Sequence, residues 1–311
     1  YSVAAYISNK WRPNSQLALT TGIRYNLVRL KARYRDQFNS SPTSQHKIEN
    51  DAFNGNIGLA WTPGENWQIN TLFSTGFRAP NVDDIAKIFD GTNGIVTVPN
   101  ADLEPEYSYN FEVGLVKSFS GKLKISGTMY YTLLENVMVQ QDHSFQGADS
   151  IYLDGESSRT QALVNGGSAK IYGGNAQLEW AIITGLVARS SITVTQGHDS
   201  KDQPLRHTTP NFGSIGMSFQ KGKFTGDLNY RFSGKREFDD LPKVEQQKTH
   251  LYTSDGALAW QTLNFSGAYA LNNKLSFTFG IENILNHHYR PYSSGISAAG
   301  RNFIMSIRAR L

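Results

Sequence analysis

Hydrophobic and polar residues alternate at every second position along much of the chain, which is the period of a β-strand with two different faces. In the segment 224–232, Phe224, Leu228 and Tyr230 lie on one face, whereas Asp227 and Arg231 lie on the other. The same alternation recurs in the segments 123–131, 275–281 and 302–311. This pattern predicts an all-β protein built from antiparallel strands.

The connections between these segments alternate between short and long. Short turns are expected at Arg12–Ser15, Pro63–Asn66, Ser120–Lys122, Ile183–Leu186, Gln220–Lys223 and Leu271–Lys274. Long polar loops are expected at Phe38–Lys47, Ala79–Pro105, Gln141–Thr160, Asp199–Thr208, Arg236–Asp255 and Asn286–Ala298. Short periplasmic turns and long extracellular loops are typical of outer-membrane barrels, so the alternation predicts an antiparallel transmembrane β-barrel.

The length and number of the strands support this interpretation. The expected strands run about 10 to 15 residues, whereas soluble strands run roughly five or six and membrane strands need about 9–11. Aromatic residues such as Trp11, Trp61 and Trp180 fall near strand ends, where an interfacial girdle would lie. Single-chain bacterial barrels have even strand numbers, and we count about 13 strands. We therefore expect roughly the last 13 strands of a 22-stranded barrel of the plugged transporter type.

The composition excludes several other classes. The mean hydropathy is −0.42 and no run of 18 residues is wholly apolar, so a transmembrane helix is not predicted. The chain has no Cys, which excludes disulfides and thiolate metal sites. A net charge of +4 over 311 residues gives no support for nucleic-acid binding.

The chain starts inside an expected strand. Its first residues are Tyr1, Ser2 and Val3, with neither an initiator Met nor a signal peptide. We therefore expect residues 1–311 to be the C-terminal part of the barrel. A plug domain and the N-terminal barrel strands would then lie outside this chain.

Three motifs carry a family resemblance. The segment Phe73-Ser-Thr-Gly-Phe-Arg-Ala-Pro80 is followed by Asn100-Ala-Asp-Leu-Glu-Pro-Glu106, and the chain later reads Asn283-Ile-Leu-Asn286 and Gly300-Arg-Asn302. In this order and spacing the motifs resemble those of TonB-dependent outer-membrane receptors. The resemblance covers most of the chain.

The resemblance implies a location, a function and partners. It implies a bacterial outer-membrane receptor that binds and imports a bulky, scarce nutrient with energy supplied by TonB. The expected partners are outer-membrane lipid, the remaining barrel strands, the plug, and the TonB complex acting through the N-terminal part. A surface lipoprotein is a further candidate partner.

The ligand is expected to be a ferric siderophore first, then cobalamin, haem or a glycan, so the transported ligand can contain iron or cobalt. Haem receptors of this family typically carry a His between the first two motifs, and none lies between Pro80 and Asn100. The resemblance therefore does not favour haem. No resident cofactor or metal site is predicted, although the acidic pairs Asp83-Asp84 and Asp239-Asp240 could bind Ca²⁺ with further oxygen ligands.

The candidate ligand contacts lie in the expected extracellular loops. Arg78 and Arg301 are the strongest candidates, because an Arg at a strand's outer end can bind an anionic ligand through two hydrogen bonds. The other candidates are Phe145, Tyr152, Tyr252, Tyr292, His143 and His250. For all of the motif residues a structural role at the barrel rim is the alternative, since Pro80 stops ladder pairing and the glycines permit bends.

Two other classes of function stay open. A passive porin or barrel adhesin would use the same strands without a plug, and a soluble all-β carbohydrate-binding module would need no membrane. An enzyme is not predicted, because the chain has no GxSxG, HExxH or phosphate-binding glycine motif. The sequence before Tyr1 would separate a receptor from a porin.

Overall fold

The computed structural model describes residues 1–33, 45–86, 88–90, 94–153 and 155–310. The strands are β1 (Ser2–Trp11), β2 (Leu17–Arg33), β3 (Gln45–Gly64), β4 (Trp67–Arg78), β5 (Phe89–Asp90), β6 (Ile95–Thr97), β7 (Glu106–Phe119), β8 (Leu123–Glu135), β9 (Met138–Asp142), β10 (Ser150–Leu153), β11 (Glu156–Asn165), β12 (Ser168–Ile183), β13 (Leu186–Asp199), β14 (Phe212–Lys221), β15 (Phe224–Ser233), β16 (Trp260–Ala270), β17 (Leu275–Glu282) and β18 (Asn302–Ala309). The helices are α1 (Val82–Ala86), a 3₁₀ turn (Phe238–Asp240) and α2 (Lys243–Gln246).

Thirteen strands form one sheet in the order β1-β2-β3-β4-β7-β8-β12-β13-β14-β15-β16-β17-β18. Consecutive strands are neighbours, as in an up-and-down barrel, and the sheet is not closed, because β1 and β18 lie at its two ends. The predicted antiparallel all-β fold with thirteen strands is confirmed. The number of strands in a complete barrel stays a prediction.

The six short turns fall where the sequence predicts them, since each joins two neighbouring strands of this sheet. The longer connections join the other ends of the strands, and we call that end the loop side. Most of the predicted loop Phe38–Lys47 lies outside the described residues. At the turn between β16 and β17 the Asn272 Oδ1 accepts hydrogen bonds from the backbone N–H groups of Lys274 and Leu275, both at 2.9 Å.

The register places apolar side chains opposite one another on one face of the sheet. In β17 and β18, Phe277 pairs with Ile307 and Phe279 pairs with Met305. This face continues into β16, where Gly267 lies opposite Phe279. Cross-strand apolar pairs of this kind stabilise a sheet face, so the two-residue period of the sequence is realised as a continuous apolar surface.

The sheet exposes its large apolar side chains instead of burying them. Ile7, Ile125, Ile215 and Phe277 are all exposed, and Met305 is 87% exposed. A soluble protein rarely leaves an apolar surface of this extent in water. The arrangement is the one expected of strands that face lipid, where apolar side chains need no protein cover.

The chain divides into two compact units. The first comprises Tyr1–Leu59, Leu72–Phe111 and Thr132–Lys170, and the second comprises Ala60–Thr71, Glu112–Tyr131 and Ile171–Leu311. None of the described helices is long and apolar enough to cross a membrane.

Each unit has small apolar cores, and these lie mainly among the loops. In the first unit, β5, β6, β10 and β11 form a second sheet that β9 joins by pairing with β11, and this loop sheet packs around Val96, Val98 and Ala162. A second core in this unit contains Ile48, Ile85 and Leu103. In the second unit the core contains Leu241, Tyr252 and Ala257.

Candidate ligand-binding surface on the loop side

Arg78 ends β4 and joins three segments of the first unit. Its guanidinium donates two hydrogen bonds to the Asp84 carboxylate, at 2.9 and 2.8 Å, and one to the Glu106 carboxylate at 2.9 Å. Asp84 lies in α1 and Glu106 begins β7, so the arginine holds the start of the long loop against its end. Its side chain is still 46% exposed, but much of its hydrogen-bonding capacity is already used within the protein.

The Asn81 side chain fixes the start of α1. Its Oδ1 accepts hydrogen bonds from the backbone N–H groups of Asp83 at 2.7 Å and Asp84 at 3.2 Å, and the Asp84 carboxylate accepts one from the Asn81 N–H at 2.9 Å. This reciprocal arrangement satisfies N–H groups that have no partner within a helix. Asp84 is therefore engaged by Asn81 and Arg78 together.

The second motif is anchored by asparagine side chains. Asn165 accepts a hydrogen bond from the Glu104 N–H at 2.8 Å and donates to the carbonyl groups of Glu104 and Asn136, both at 2.9 Å. Asn100 donates to the carbonyl of Leu163 at 2.8 Å. These bonds attach the motif to the loop sheet, which supports the structural alternative for its residues.

The candidate residues of the loop 136–167 differ in exposure. Phe145 is partly buried and packs against the core of Val96, Val98 and Ala162. Tyr152 lies on β10 and is 77% exposed. His143 is partly exposed and its backbone N–H bonds to the Thr160 carbonyl at 3.2 Å. Of these three, Tyr152 is the side chain most available to a ligand.

The long loops 236–257 and 286–298 of the second unit fold around the core of Leu241, Tyr252 and Ala257, and we call them the loop cap. Tyr252 and Tyr292 lie inside it. Tyr252 is 2% exposed, its hydroxyl accepts a hydrogen bond from the Ser293 N–H at 3.1 Å, and its ring centroid is 6.2 Å from that of Tyr292. Burial raises the pKa of the Tyr292 phenol above its ordinary value, against the opposing charge of Arg236. His250, the remaining candidate in this loop, is exposed.

A buried carboxylate joins two loops beneath this cap. Glu245 in α2 is 1% exposed, and its Oε1 accepts hydrogen bonds from Lys248 at 2.9 Å and from Arg206 at 3.3 Å. Arg206 belongs to the preceding long loop. Burial acts to raise the pKa of Glu245, but the two cations outweigh burial and hold that pKa below its ordinary value. The carboxylate is therefore charged at neutral pH.

Arg301 lies on the exposed stretch before β18. Its Nε donates to the Ile284 carbonyl at 3.0 Å, and its backbone N–H donates to the Asn286 Oδ1 at 3.0 Å. The neighbouring Asn283 is buried and bonds to His287 and Ala299. The Asn283–Asn286 motif thus shapes the loop, and Arg301 is an exposed residue beside it.

The predicted contacts are divided between the two units. Arg78, His143, Phe145 and Tyr152 belong to the first unit, whereas His250, Tyr252, Tyr292 and Arg301 belong to the second. Among the described residues, no group of three or more His, Asp or Glu side chains could hold a metal ion. The role of each candidate residue in binding stays a prediction.

A polar cleft of about 320 Å³ opens in the second unit beside the cap. Its walls include Gln196, His198, Asn211, Lys235, Arg236 and Asp240. Among these residues the sequence singled out only Asp240, as part of an acidic pair that could bind Ca²⁺. Loop residues follow no hydrophobic period, so no signal in the sequence indicated that these residues meet.

An antiparallel sheet of long strands with an exposed apolar face is the architecture of an outer-membrane β-barrel. The family model described as TonB dependent receptor-like, beta-barrel, matches residues 1–284, and the chain belongs to this family. This confirms the resemblance drawn from the motifs. Barrels of this family are bacterial outer-membrane proteins, and its members are transporters and receptors.

Solved structures show the same fold. The copper transporter OprC matches with a TM-score of 0.79 at 15% identity, over 99% of this chain and 47% of that chain. The ferric yersiniabactin uptake receptor FyuA from Yersinia pestis matches with a TM-score of 0.71 at 16% identity, over 99% of this chain and 45% of that chain.

A third structure is a double mutant of the Serratia marcescens hemophore receptor HasR in complex with its hemophore HasA and heme. It has a TM-score of 0.71 at 15% identity, over 100% of this chain and 51% of that chain. The chain thus spans about half the length of these structures. No curated protein matches the chain at a significant level. At such identities the likeness shows the fold alone.

Proposed function

We propose that this chain is the C-terminal barrel part of an outer-membrane receptor that captures a bulky nutrient on its loop side and imports it with TonB-supplied energy. The proposal rests on two features observed together. The sheet has an exposed apolar face of the kind that contacts lipid, and the long loops fold around apolar cores of their own. A passive pore needs an open lumen, whereas caps with their own cores provide a fixed surface for binding. The plug, the remaining strands and the TonB contact would come from sequence outside this chain.

A ferric siderophore is the first candidate ligand. The structural neighbours include a ferric yersiniabactin receptor, and the loop side of the second unit carries cationic side chains, among them Lys235, Arg236 and Arg301. Such side chains suit an anionic chelate. A copper-containing ligand is a second candidate, since a copper transporter has the same fold. Cobalamin, haem and glycans follow, and a surface lipoprotein stays a candidate partner.

The proposal can be tested by uptake in cells. Deleting the gene should abolish growth on one member of a panel of ferric siderophores, copper chelates, cobalamin, haem and glycans supplied as the scarce nutrient. Restoring the full-length gene should restore uptake, and inactivating TonB should abolish it again. Uptake that continues without TonB would favour the porin alternative. Recovery of the protein without detergent would favour the soluble module.

A further inference from the structure

The end of the sheet that the short turns join, which we call the turn side, carries a band of exposed aromatic side chains. In the second unit Trp61, Trp67, Phe119 and Trp180 each lie within three residues of a short turn, and each is 41–46% exposed. Aromatic rings near the strand ends of an outer-membrane barrel lie at the level of the lipid headgroups. The band therefore marks a membrane interface on the turn side.

Lys117 interrupts the apolar face of β7. Phe111, Val113, Leu115 and Phe119 lie at every second position of this strand, and all four are exposed. Lys117 occupies the same register, between Leu115 and Phe119. A charged group on a face that contacts lipid is costly unless its long side chain reaches the polar headgroup layer. The position of Lys117 next to a turn allows its ammonium to reach that layer.

Two aromatic rings hold the Lys117 ammonium in place. The Ser118 N–H donates to the Asn66 carbonyl at 2.9 Å, which sets the end of β7 beside the start of β4. The Lys117 Nζ then lies 4.1 Å from the centre of the Trp67 ring and 5.4 Å from that of Phe119, where the rings attract a cation. Among the described residues no carboxylate pairs with this ammonium, so its charge is available to an anion.

The neighbouring turns add positive charge to this edge. Within two residues of the five short turns of the second unit, the sequence has one acidic residue, Glu65, and five lysines, Lys122, Lys124, Lys221, Lys223 and Lys274. An excess of positive charge beside a membrane attracts anionic lipid. Headgroup phosphates are the anions that lie at the level of the aromatic band, so their charge and depth both match this edge.

We propose that Lys117, Trp67 and Phe119 form a headgroup site for an anionic phospholipid in the leaflet on the turn side. The Lys117 ammonium binds the headgroup phosphate, and the apolar face of β7 contacts an acyl chain. The occupant is a phospholipid and not free phosphate, because free phosphate gains nothing from the apolar face of the strand. The inference goes beyond the proposed transport function, since it concerns the membrane around the barrel and not the nutrient.

The test measures the lipid that the full-length protein retains in detergent, by native mass spectrometry with equal amounts of phosphatidylglycerol and phosphatidylcholine of the same acyl chains. The wild type should retain phosphatidylglycerol over phosphatidylcholine by at least about threefold, because only the former carries a net negative charge. K117Q should remove most of this preference, and K117R, which keeps the charge, should preserve it. W67L, which keeps an apolar side chain but loses the ring, should weaken the preference by a smaller factor.

K201Q is the matched control, because Lys201 is an exposed lysine on a long loop of the same unit. Its lipid preference should equal that of the wild type. K117L is a second variant in case K117Q assembles poorly, since β7 already carries Leu115 at the preceding position of the same face. Inorganic phosphate at the concentration of the lipid should not displace phosphatidylglycerol, because it has no acyl chains.

Equal retention of the two lipids by the wild type, or retention of neither, would overturn the inference. An unchanged preference in K117Q or K117L would overturn it as well. Displacement of phosphatidylglycerol by inorganic phosphate would identify a site for free phosphate and overturn the assignment to a lipid. None of these results decides the proposed function, which the TonB-dependent uptake assay tests separately.

Discussion

Single polar side chains at the strand ends determine how the long loops fold. Arg78 joins Asp84 to Glu106, and Asn165 bonds to three backbone groups of two other segments. These side chains therefore connect segments that lie up to 61 residues apart in the sequence. The motif residues read from the sequence as possible ligand contacts thus also have structural partners. A substitution at Arg78 is therefore expected to change loop folding as well as any ligand binding. Among the described residues, the hydrogen bonds that Arg301 donates stay within its own loop.

The two arginines are expected to respond differently to substitution. Arg78→Ala leaves the Asp84 and Glu106 carboxylates without their cation, so it should destabilise the loop sheet by about 1–3 kcal/mol, discounted for the partial exposure of the pair. Arg301→Ala should leave that sheet unchanged. Hydrogen exchange of the segments 82–86 and 138–142 measures the difference.

If the ligand is an anionic chelate, both substitutions should also weaken its binding about ten- to a hundredfold. Arg189→Ala, near the turn side of β13, is the control for a change of charge alone. Affinity that is intact in both variants would show that Arg78 and Arg301 are structural rim residues. Weaker binding in Arg301→Ala, with unchanged exchange rates, would identify a direct contact.

Glu245 makes the cap of the second unit sensitive to acid. The pKa of Glu245 is lower in the folded protein than its ordinary value. The ion pairs of the charged carboxylate therefore stabilise the cap fully at any pH above that ordinary value. The stabilisation is lost as the pH falls through the lowered pKa. We therefore expect hydrogen exchange of the segment 241–258, corrected for intrinsic rates, to lose protection below about pH 4.

Glu245→Gln should remove this acid dependence and lower the protection already at neutral pH, by about 1–2 kcal/mol. Glu237→Gln is the matched control, because Glu237 forms an exposed pair in the same loop. Equal protection of the wild type and Glu245→Gln at neutral pH would contradict a role of the buried carboxylate in holding the cap.

At the scale of elements, the strands and turns follow local rules and the loops do not. All six short turns lie where turn residues interrupt the two-residue period, and neighbouring strands pair in the order of the chain. The loops 79–105 and 136–167, by contrast, contain five further strands, and the pairing of β6 with β11 crosses between the two loops. β6 even pairs in parallel with β11, about 60 residues later.

The orientation of the elements in the membrane is a prediction that cysteine labelling can test. Ser254→Cys lies in an exposed part of a long loop, and Asn273→Cys lies in the short turn between β16 and β17. On whole cells, a membrane-impermeant thiol reagent should label the first and not the second, because the long loops of outer-membrane barrels face outward. Both should react after the cells are lysed. Labelling of Asn273→Cys alone on intact cells would reverse the topology.

At the scale of the whole molecule, burial is inverted relative to a soluble protein. The most buried residues, such as Ile85, Val96 and Leu241, lie among the loops, whereas β1 and β18 are exposed along both faces. β1 and β18 also carry unpaired backbone groups on one side, because they end the described sheet. Unpaired strand edges in lipid cost several kcal/mol for each unsatisfied group.

Residues 1–311 expressed alone should therefore not form a closed monomeric barrel. After refolding in detergent, the chain should lack the heat-resistant and protease-resistant electrophoretic band that closed barrels give. The full-length protein, prepared in the same way, is the control and should give that band. A stable monomeric band from the isolated chain would contradict the expectation that further strands complete the barrel.

The sequence by itself determined the thirteen strands of the main sheet and their order. Side chains on one face of a strand recur every two residues, and turns need particular residue types. Both signals are therefore local, because they involve residues that are close together in the sequence. The three motifs are also local in the sequence, and they indicated the family. Arg78 was identified as a residue at the end of β4 for this reason.

Only the tertiary structure decided which loop residues are buried and which meet. Nothing local distinguishes Tyr152, which is 77% exposed, from Tyr252, which is 2% exposed. Tyr252 is buried by contacts such as that with Ser293, 41 residues later, and Glu245 by contact with Arg206, 39 residues earlier. Such pairings depend on the distance across the folded sheet and leave no period in the chain. The cleft at His198 and Arg236 could not be read from the sequence for the same physical reason.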